Sequence, residues 1–319
     1  MAATSGREVP PELAIDTAAG ATAIEAFISL QMEARQRGGA VLGLSGGVDS
    51  AVVAGLAAGA LGPERVLALI MPERDSAPAS ERHARDWADH LGIRFEVVNL
   101  TDSLQTLGVY RGLPLHLLGP KTVQAAAVRL FSSRLGRTPF ARFLRASPDT
   151  TRVPSRLVAA GRAYVNVKHR MRMVYWYYRA EAENLLVLGG CNRTEKEVGF
   201  FVRYGDSAAD IAPIEGLYKT QVFQLARHLG VPDEIISKPP SPDLLPGVTD
   251  EYALGMSYEL LDRILYRLNT GMEPQAVARE LGIEPALADL VVELRRASQP
   301  MRELPPTGPS LTDGDGSTG

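Results

Sequence analysis

Ala40-Val41-Leu42-Gly43-Leu44-Ser45-Gly46-Gly47-Val48-Asp49-Ser50 is the stretch whose reading decides the fold. Ala40 to Leu44 is a short apolar run, the pattern of a strand buried on both faces. Ser50 to Leu61 is rich in Ala, Val and Leu and reads as a helix. Between them lie Gly46 and Gly47, which let the backbone turn tightly and approach a ligand closely. Successive N–H groups ahead of a helix start form a cradle for phosphate, and Ser45 and Ser50 add hydroxyls. Asp49 suits an anion site only when a cation bridges it. Mg²⁺ held by one carboxylate and phosphate oxygens meets that need.

Working outward, Ala23 to Gly38 carries apolar residues at helical spacing and predicts an amphipathic helix. Arg65 to Met71 and Arg94 to Leu100 read as strands, with a helix over Pro78 to Leu91 between them. A long helix is expected from Asn166 to about Glu183, followed by a fourth strand over Asn184 to Leu188. The aromatic run Tyr175-Trp176-Tyr177-Tyr178 goes all round that helix, which predicts core or a subunit contact. Strands alternating with helices imply parallel crossovers. The expected fold is α/β: a doubly wound parallel sheet with helices on both faces, and a helical C-terminal part from Ser257, Pro274 and Pro285 onward.

Ligands of such sheets sit at the carboxyl ends of the strands. The fourth strand runs into Gly189-Gly190-Cys191-Asn192-Arg193-Thr194-Glu195, a second glycine turn ending in a carboxylate. Asp49 and Glu195 are therefore expected to face each other as Mg²⁺ ligands. Lys219 at the start of a helix runs against the helix dipole, a conflict expected at functional sites. Lys238 to Leu244 reads as a stiff loop, a candidate phosphate lid.

Composition narrows the class. The chain has 319 residues, 45% of them hydrophobic, enough for one large α/β domain with appendages. The net charge of −3 argues against a nucleic-acid binder by charge alone. The single cysteine, Cys191, excludes an internal disulfide and a cysteine zinc cluster and suits the cytoplasm. No run reads as a membrane span or signal peptide. Residues 1–20 read as a mobile lead, 21–302 as one domain, and 303–319 as a disordered tail. Residues 110–165 hold nine Arg and one Lys against one acid, Asp149. They read as a basic insertion or lid, a phosphate clamp, or a docking face for an acidic partner.

With these motifs in one order, the chain resembles the NAD synthetases, ATP-dependent amide-forming enzymes of the pyrophosphatase-loop superfamily with an adenine nucleotide alpha hydrolase-like fold. The glycine loop lacks the Gly-Lys-Ser/Thr ending of a Walker A loop. The resemblance also rests on Asn166 to Met173, Gly189 to Glu195, Tyr204-Gly205-Asp206, Leu217 to Val222, Lys238 to Leu244 and Thr249-Asp250-Glu251.

It implies that ATP is bound by Gly43, Leu44, Ser45, Gly46, Gly47, Val48, Asp49, Ser50, Gly190, Lys219 and Ser241. Asp49, Lys219 and Ser241 would serve catalysis, and Asp49 and Glu195 would hold Mg²⁺. Asn166, Arg170, Arg203 and Asp210 would grip a dinucleotide acceptor. In the family the acceptor carboxylate attacks the α-phosphate, pyrophosphate leaves, and ammonia displaces AMP. The resemblance further implies a homodimer, and free ammonia or a separate ammonia source, since about 20 residues before the first helix leave no room for an amidase domain.

Departures fall at the acceptor end. Pro300-Met301 stand where the family has a His-Lys pair, Gly190 where a threonine is common, and Arg203 where lysine is usual. Three other readings follow: a relative that adenylates a different carboxylate or one on an acidic carrier, a tRNA-modifying relative, and a non-catalytic nucleotide-binding regulator.

Overall fold

The computed structural model describes residues 9–112, 121–133, 139–144, 155–241 and 248–308. Helix α1 (Thr17–Ala34) leads into β1 (Gly39–Gly43), α2 (Val48–Leu61), β2 (Val66–Ile70), α3 (Pro78–Leu91) and β3 (Arg94–Val97). Next come α4 (Thr101–Thr106), α5 (Val109–Gly112), α6 (Lys121–Ser133), α7 (Pro139–Leu144) and the long α8 (Ser155–Glu183). β4 (Leu185–Leu188) precedes α9 (Arg193–Val198), α10 (Lys219–His228), α11 (Asp233–Ile236) and α12 (Asp250–Leu254). The chain then runs through α13 (Tyr258–Asn269), α14 (Pro274–Leu281) and α15 (Pro285–Arg302).

The four strands form one parallel sheet in the order β3-β2-β1-β4, with Val41 opposite both Leu67 and Val187. Side chains alternate across it. Ala40, Leu42, Ala68, Ile70, Leu186 and Leu188 pack on one face with α1, α2, α3 and α10. Val41, Leu67, Leu69, Leu185 and Val187 pack on the other with Tyr164, Trp176 and Ala180 of α8. Each fully buried Val, Leu or Ile contributes roughly 1.5–3 kcal/mol over leaving it exposed. Trp87 of α3 is wholly buried in the first layer and donates its indole N–H to Ala51 O at 3.0 Å. A third cluster joins α13, α14 and α15 to Leu13, Val198 and Tyr218. The doubly wound sheet with a helical C-terminal part is thus the architecture that forms.

Several boundaries differ from the sequence-based expectation. α1 begins at Thr17, capped by Asp16, whose side chain accepts from Ala19 N at 3.0 Å. Leu13 ahead of it is fully buried, so the start of the described chain is anchored rather than loose. Pro11–Ala34 is also long and apolar enough, by length and composition, to cross a membrane. Here Ile28 and Met32 sit in the core, and Glu12 pairs with Arg263 and Arg267, contacts of a helix built into the protein.

α8 starts at Ser155, so the end of the basic stretch is continuous with the helix that opens the Asn166 motif. The aromatic run does not bury as a unit: Trp176 is in the core, while Tyr178 is 63% exposed. α15 continues through Pro300 to Arg302. The Arg302 guanidinium donates to the Glu197 and Arg295 carbonyls, holding that last turn against α9. Residues 242–244 of the expected phosphate lid, part of the basic stretch and the tail beyond 308 lie outside the described residues.

Candidate active site

The strand order reverses between β1 and β4, and a crevice opens at such a switch point beyond the carboxyl ends of the strands. The two glycine turns lie at its rim. A cavity of about 860 Å³ runs from there along α8.

The first turn is shaped by close contact. Gly46 has φ +71°, and a Cβ on it would stand 2.1 Å from Ser80 O. A Cβ on Gly43 would stand 2.5 Å from the Trp176 ring. Only glycine permits both approaches. Ser50 Oγ accepts from Ser45 N at 3.2 Å and donates to Gly47 O at 2.9 Å. Gly47 N in turn donates to Ser45 Oγ at 3.3 Å. The loop is closed on itself and places Asp49 in the first turn of α2.

The second turn is fixed by a reciprocal cap. Asn192 Oδ1 accepts from Glu195 N at 3.0 Å, and Glu195 Oε2 accepts from Asn192 N at 3.3 Å. Asn192 Nδ2 also donates to Asp49 Oδ1 at 2.9 Å, tying the two turns together. Lys219 opens α10 and is wholly buried. Its Nζ bonds Asp49 Oδ2 and lies 3.2 Å from Glu195 Oε1. Its own N–H donates to Thr194 Oγ1 at 2.9 Å, and the Thr194 hydroxyl donates to Asp262 Oδ1. Asp262 Oδ2 accepts from Thr220 N at 2.7 Å. The lysine is therefore held from both ends.

Electrostatics are concentrated here. Burial alone would lower Lys219, but the charges of Asp49, Glu195 and Asp250 outweigh it and hold the ammonium above its usual range. Burial pushes Glu195 up to about 8; Lys219 opposes this and Asp49 and Asp250 add to it. Burial likewise raises Asp250 to about 6.

Mg²⁺ can be tested against these side chains. Two carboxylates reach one ammonium, so they lie close enough to share one cation. A carboxyl raised as Glu195 is would be returned to its ionised form by a bound cation. Among the described residues no three His, Cys, Asp or Glu side chains form a preformed metal site. The residues fit an ion held by one or two carboxylates and completed by phosphate oxygens, the habit of Mg²⁺.

The remaining expected residues divide. Gly190, Ser241, Asn166, Arg170 and Arg203 line the cavity, as do Leu44 and Val48. Ser241 Oγ donates to Val248 O at 2.9 Å. Arg170 reaches Arg203 O at 3.3 Å, and Arg203 donates to Pro300 O at 3.0 Å and Glu303 O at 2.8 Å. Asp210 is not brought to the cavity: its Oδ2 accepts from Val187 N at 2.9 Å and its Oδ1 faces Tyr177 OH. The bond to Val187 N secures β4. Cys191 is buried, and burial pushes its thiol well up, away from the thiolate a nucleophile needs.

Sequence reasoning missed a buried ion network beside the crevice. Lys168, fully buried, donates to Glu73 Oε1 at 2.9 Å and Asp75 Oδ2 at 2.7 Å. Tyr110 OH donates to Glu73 Oε2 at 2.8 Å, and Tyr164 OH donates to Asp75. The network pins the loop after β2 to α5 and α8. Lys168 within the Asn166 to Met173 motif was the available signal.

Comparison with known proteins agrees with this geometry. The family model described as NAD synthase matches residues 21–111 and 136–305. The NH(3)-dependent NAD(+) synthetase of Thermotoga maritima is 46% identical over 243 residues, 76% of this chain and 84% of that protein. The protein of that name from Coprothermobacter proteolyticus is 39% identical over 288 residues, 88% and 95% of the two chains. Among solved structures, the NH3-dependent NAD synthetase of Campylobacter jejuni, in complex with the nitrate ion, superposes with a TM-score of 0.64. It is 25% identical and covers 92% of this chain and 100% of that one. The match spans both glycine turns, Lys219 and the C-terminal helices: this chain belongs to the NAD synthases.

Proposed function

We propose that this protein is an ammonia-dependent amide ligase. It adenylates a carboxylate, most simply the nicotinate carboxylate of deamido-NAD, with release of pyrophosphate, and then forms the amide with release of AMP. The observation that carries this reading is the meeting of Asp49, Glu195 and Lys219, from the first turns of three separate helices, at the crevice between β1 and β4.

A carboxylate is a poor acceptor for an amine, and adenylation gives it a good leaving group. In this reading the Ser45–Ser50 loop takes the ATP phosphates through backbone N–H groups and hydroxyls. Asp49 and Glu195 would hold Mg²⁺, which would supply positive charge for the departing pyrophosphate. Lys219 adds a second positive charge there, and Ser241 and Gly190 border the phosphates. Asn166, Arg170 and Arg203 orient the acceptor, and most of the rate comes from holding its carboxylate in line with the α-phosphate. No side chain need act as nucleophile. A homodimer supplied with free ammonia, in the cytoplasm, completes the reading.

One observation favours a second acceptor. Arg203 is tied to the carbonyls of Pro300 and Glu303. The end of α15 therefore borders the acceptor end of the cavity, and Met301 lines it. A different carboxylate is the alternative there.

The test is pyrophosphate release and ATP–pyrophosphate exchange with deamido-NAD and ammonium. AMP and pyrophosphate as products support the reading; ADP and phosphate would sink it. Exchange with other acids and none with deamido-NAD would select the second reading.

A further inference from the structure

Lys219 Nζ bonds Asp49 Oδ2 and lies 3.2 Å from Glu195 Oε1, so the ammonium bridges the two carboxylates assigned to the metal. A dication and this ammonium cannot both lie between those oxygens, since like charges at such range repel by several kcal/mol even at an effective dielectric of about 20. For Asp49 and Glu195 to share one ion, the lysine must first swing out. A buried ammonium needs another anion to swing to.

One is present. Asp250 opens α12, is only 5% exposed, and borders the same cavity. Its Oδ2 accepts from Tyr258 OH at 3.0 Å, while its buried Oδ1 has no hydrogen-bond partner among the described residues. An unpaired buried carboxylate oxygen is costly unless some arrangement of the protein uses it. The Tyr258 ring lies 4.9 Å from Lys219 Nζ, so the tyrosine touches both groups and lines the route between them with a π face.

We infer that Lys219 is a placeholder cation that yields the Asp49–Glu195 position to the divalent ion, and that Asp250 is the positioning residue that receives its ammonium when it moves. This deepens the proposed ATP reaction and rests on it for the identity of the ion. Charge supports it: three carboxylates face one lysine, and a dication balances the remaining two charges without expelling Lys219 from the site.

The experiment is Mn²⁺ binding in the absence of nucleotide, followed by electron paramagnetic resonance. It uses wild type, Lys219→Met, Asp250→Asn and the double variant, each checked for folding by circular dichroism. Lys219→Met, which clears the bridging position, should bind Mn²⁺ at least about tenfold more tightly than wild type. Asp250→Asn alone should bind it about tenfold more weakly, because the lysine then has nowhere to go.

The double variant is decisive, since a residue acting through another loses its effect when that other is gone. In the Lys219→Met background Asp250→Asn should change Mn²⁺ affinity little. An equal loss in both backgrounds would make Asp250 a long-range charge and overturn the inference, as would Lys219→Met binding no better than wild type. Should Lys219→Met fail to fold, a milder Lys219→Gln takes its place in the cycle. If wild type shows no ATP–pyrophosphate exchange the proposed reaction falls, while the Mn²⁺ cycle still judges the placeholder by itself.

Discussion

The carbonyl oxygen of Ser80 lies 2.1 Å from where a Cβ on Gly46 would stand. The first turn of α3 thus presses directly on the phosphate loop, and the loop keeps its left-handed turn at φ +71° only as glycine. Gly46→Ala should lose ATP–pyrophosphate exchange. It should also destabilise the protein by more than about 1 kcal/mol, because strain adds to the clash. Thermal unfolding and exchange measured together check this; a variant with wild-type exchange would show that the loop can open without consequence.

Asp49 is anchored twice, by Asn192 Nδ2 and by Lys219 Nζ. Asp49→Asn keeps the shape and removes the charge. Exchange should fall by about 10²-fold or more, the scale of losing one preorganised electrostatic group. The fold should survive, as judged by circular dichroism. Exchange should also stop on chelation by EDTA and return with added Mg²⁺.

Lys168 is enclosed by Glu73 and Asp75, with Tyr110 and Tyr164 closing the network. Removing one partner of a buried pair leaves an uncompensated charge and costs about 3–5 kcal/mol. Lys168→Met should therefore lower the chemical denaturation midpoint strongly. Replacing an exposed charge such as Arg82 should not, since surface changes fall within about ±0.5 kcal/mol.

Asp262 offers a pH test outside the metal ligands. Burial raises it from 3.8 to about 6, against the hydrogen bonds from Thr194 and Thr220 that lower it. The native carboxyl then holds its proton where the unfolded one has released it. Its contribution to stability is complete below pH 3.8 and is lost as pH rises through about 6. Asp262→Asn should flatten that limb of the stability–pH curve; an unchanged slope between pH 4 and 6 would show that Asp262 titrates normally.

The outline of the fold was readable because its signals are local. Ala40 to Leu44 is apolar at every position, and it forms a strand covered on both faces. The glycine turns announce themselves by composition, and their meeting follows from strand order. Long-range polar pairing was not readable in that way. Glu73, Asp75, Tyr164 and Lys168 look like ordinary surface residues until α8 crosses the loop after β2. Asp250 lies at a helix start, where a carboxylate needs no further explanation, and Asp262 lies one turn inside α13 with no local sign of its partners. The early start of α8 was hidden because Arg-rich sequence before Asn166 carries no apolar period.

The chain has two tryptophans, and the sheet divides them. Trp87 lies in the layer of α2 and α3, outside the crevice lining, and Trp176 stands over Gly43 at the cavity wall. Their intrinsic fluorescence is therefore two separate optical channels. A Trp87→Phe protein would report titration of the crevice with ligand through its one remaining indole, and a Trp176→Phe protein would report unfolding of the opposite layer, with no dye attached to either.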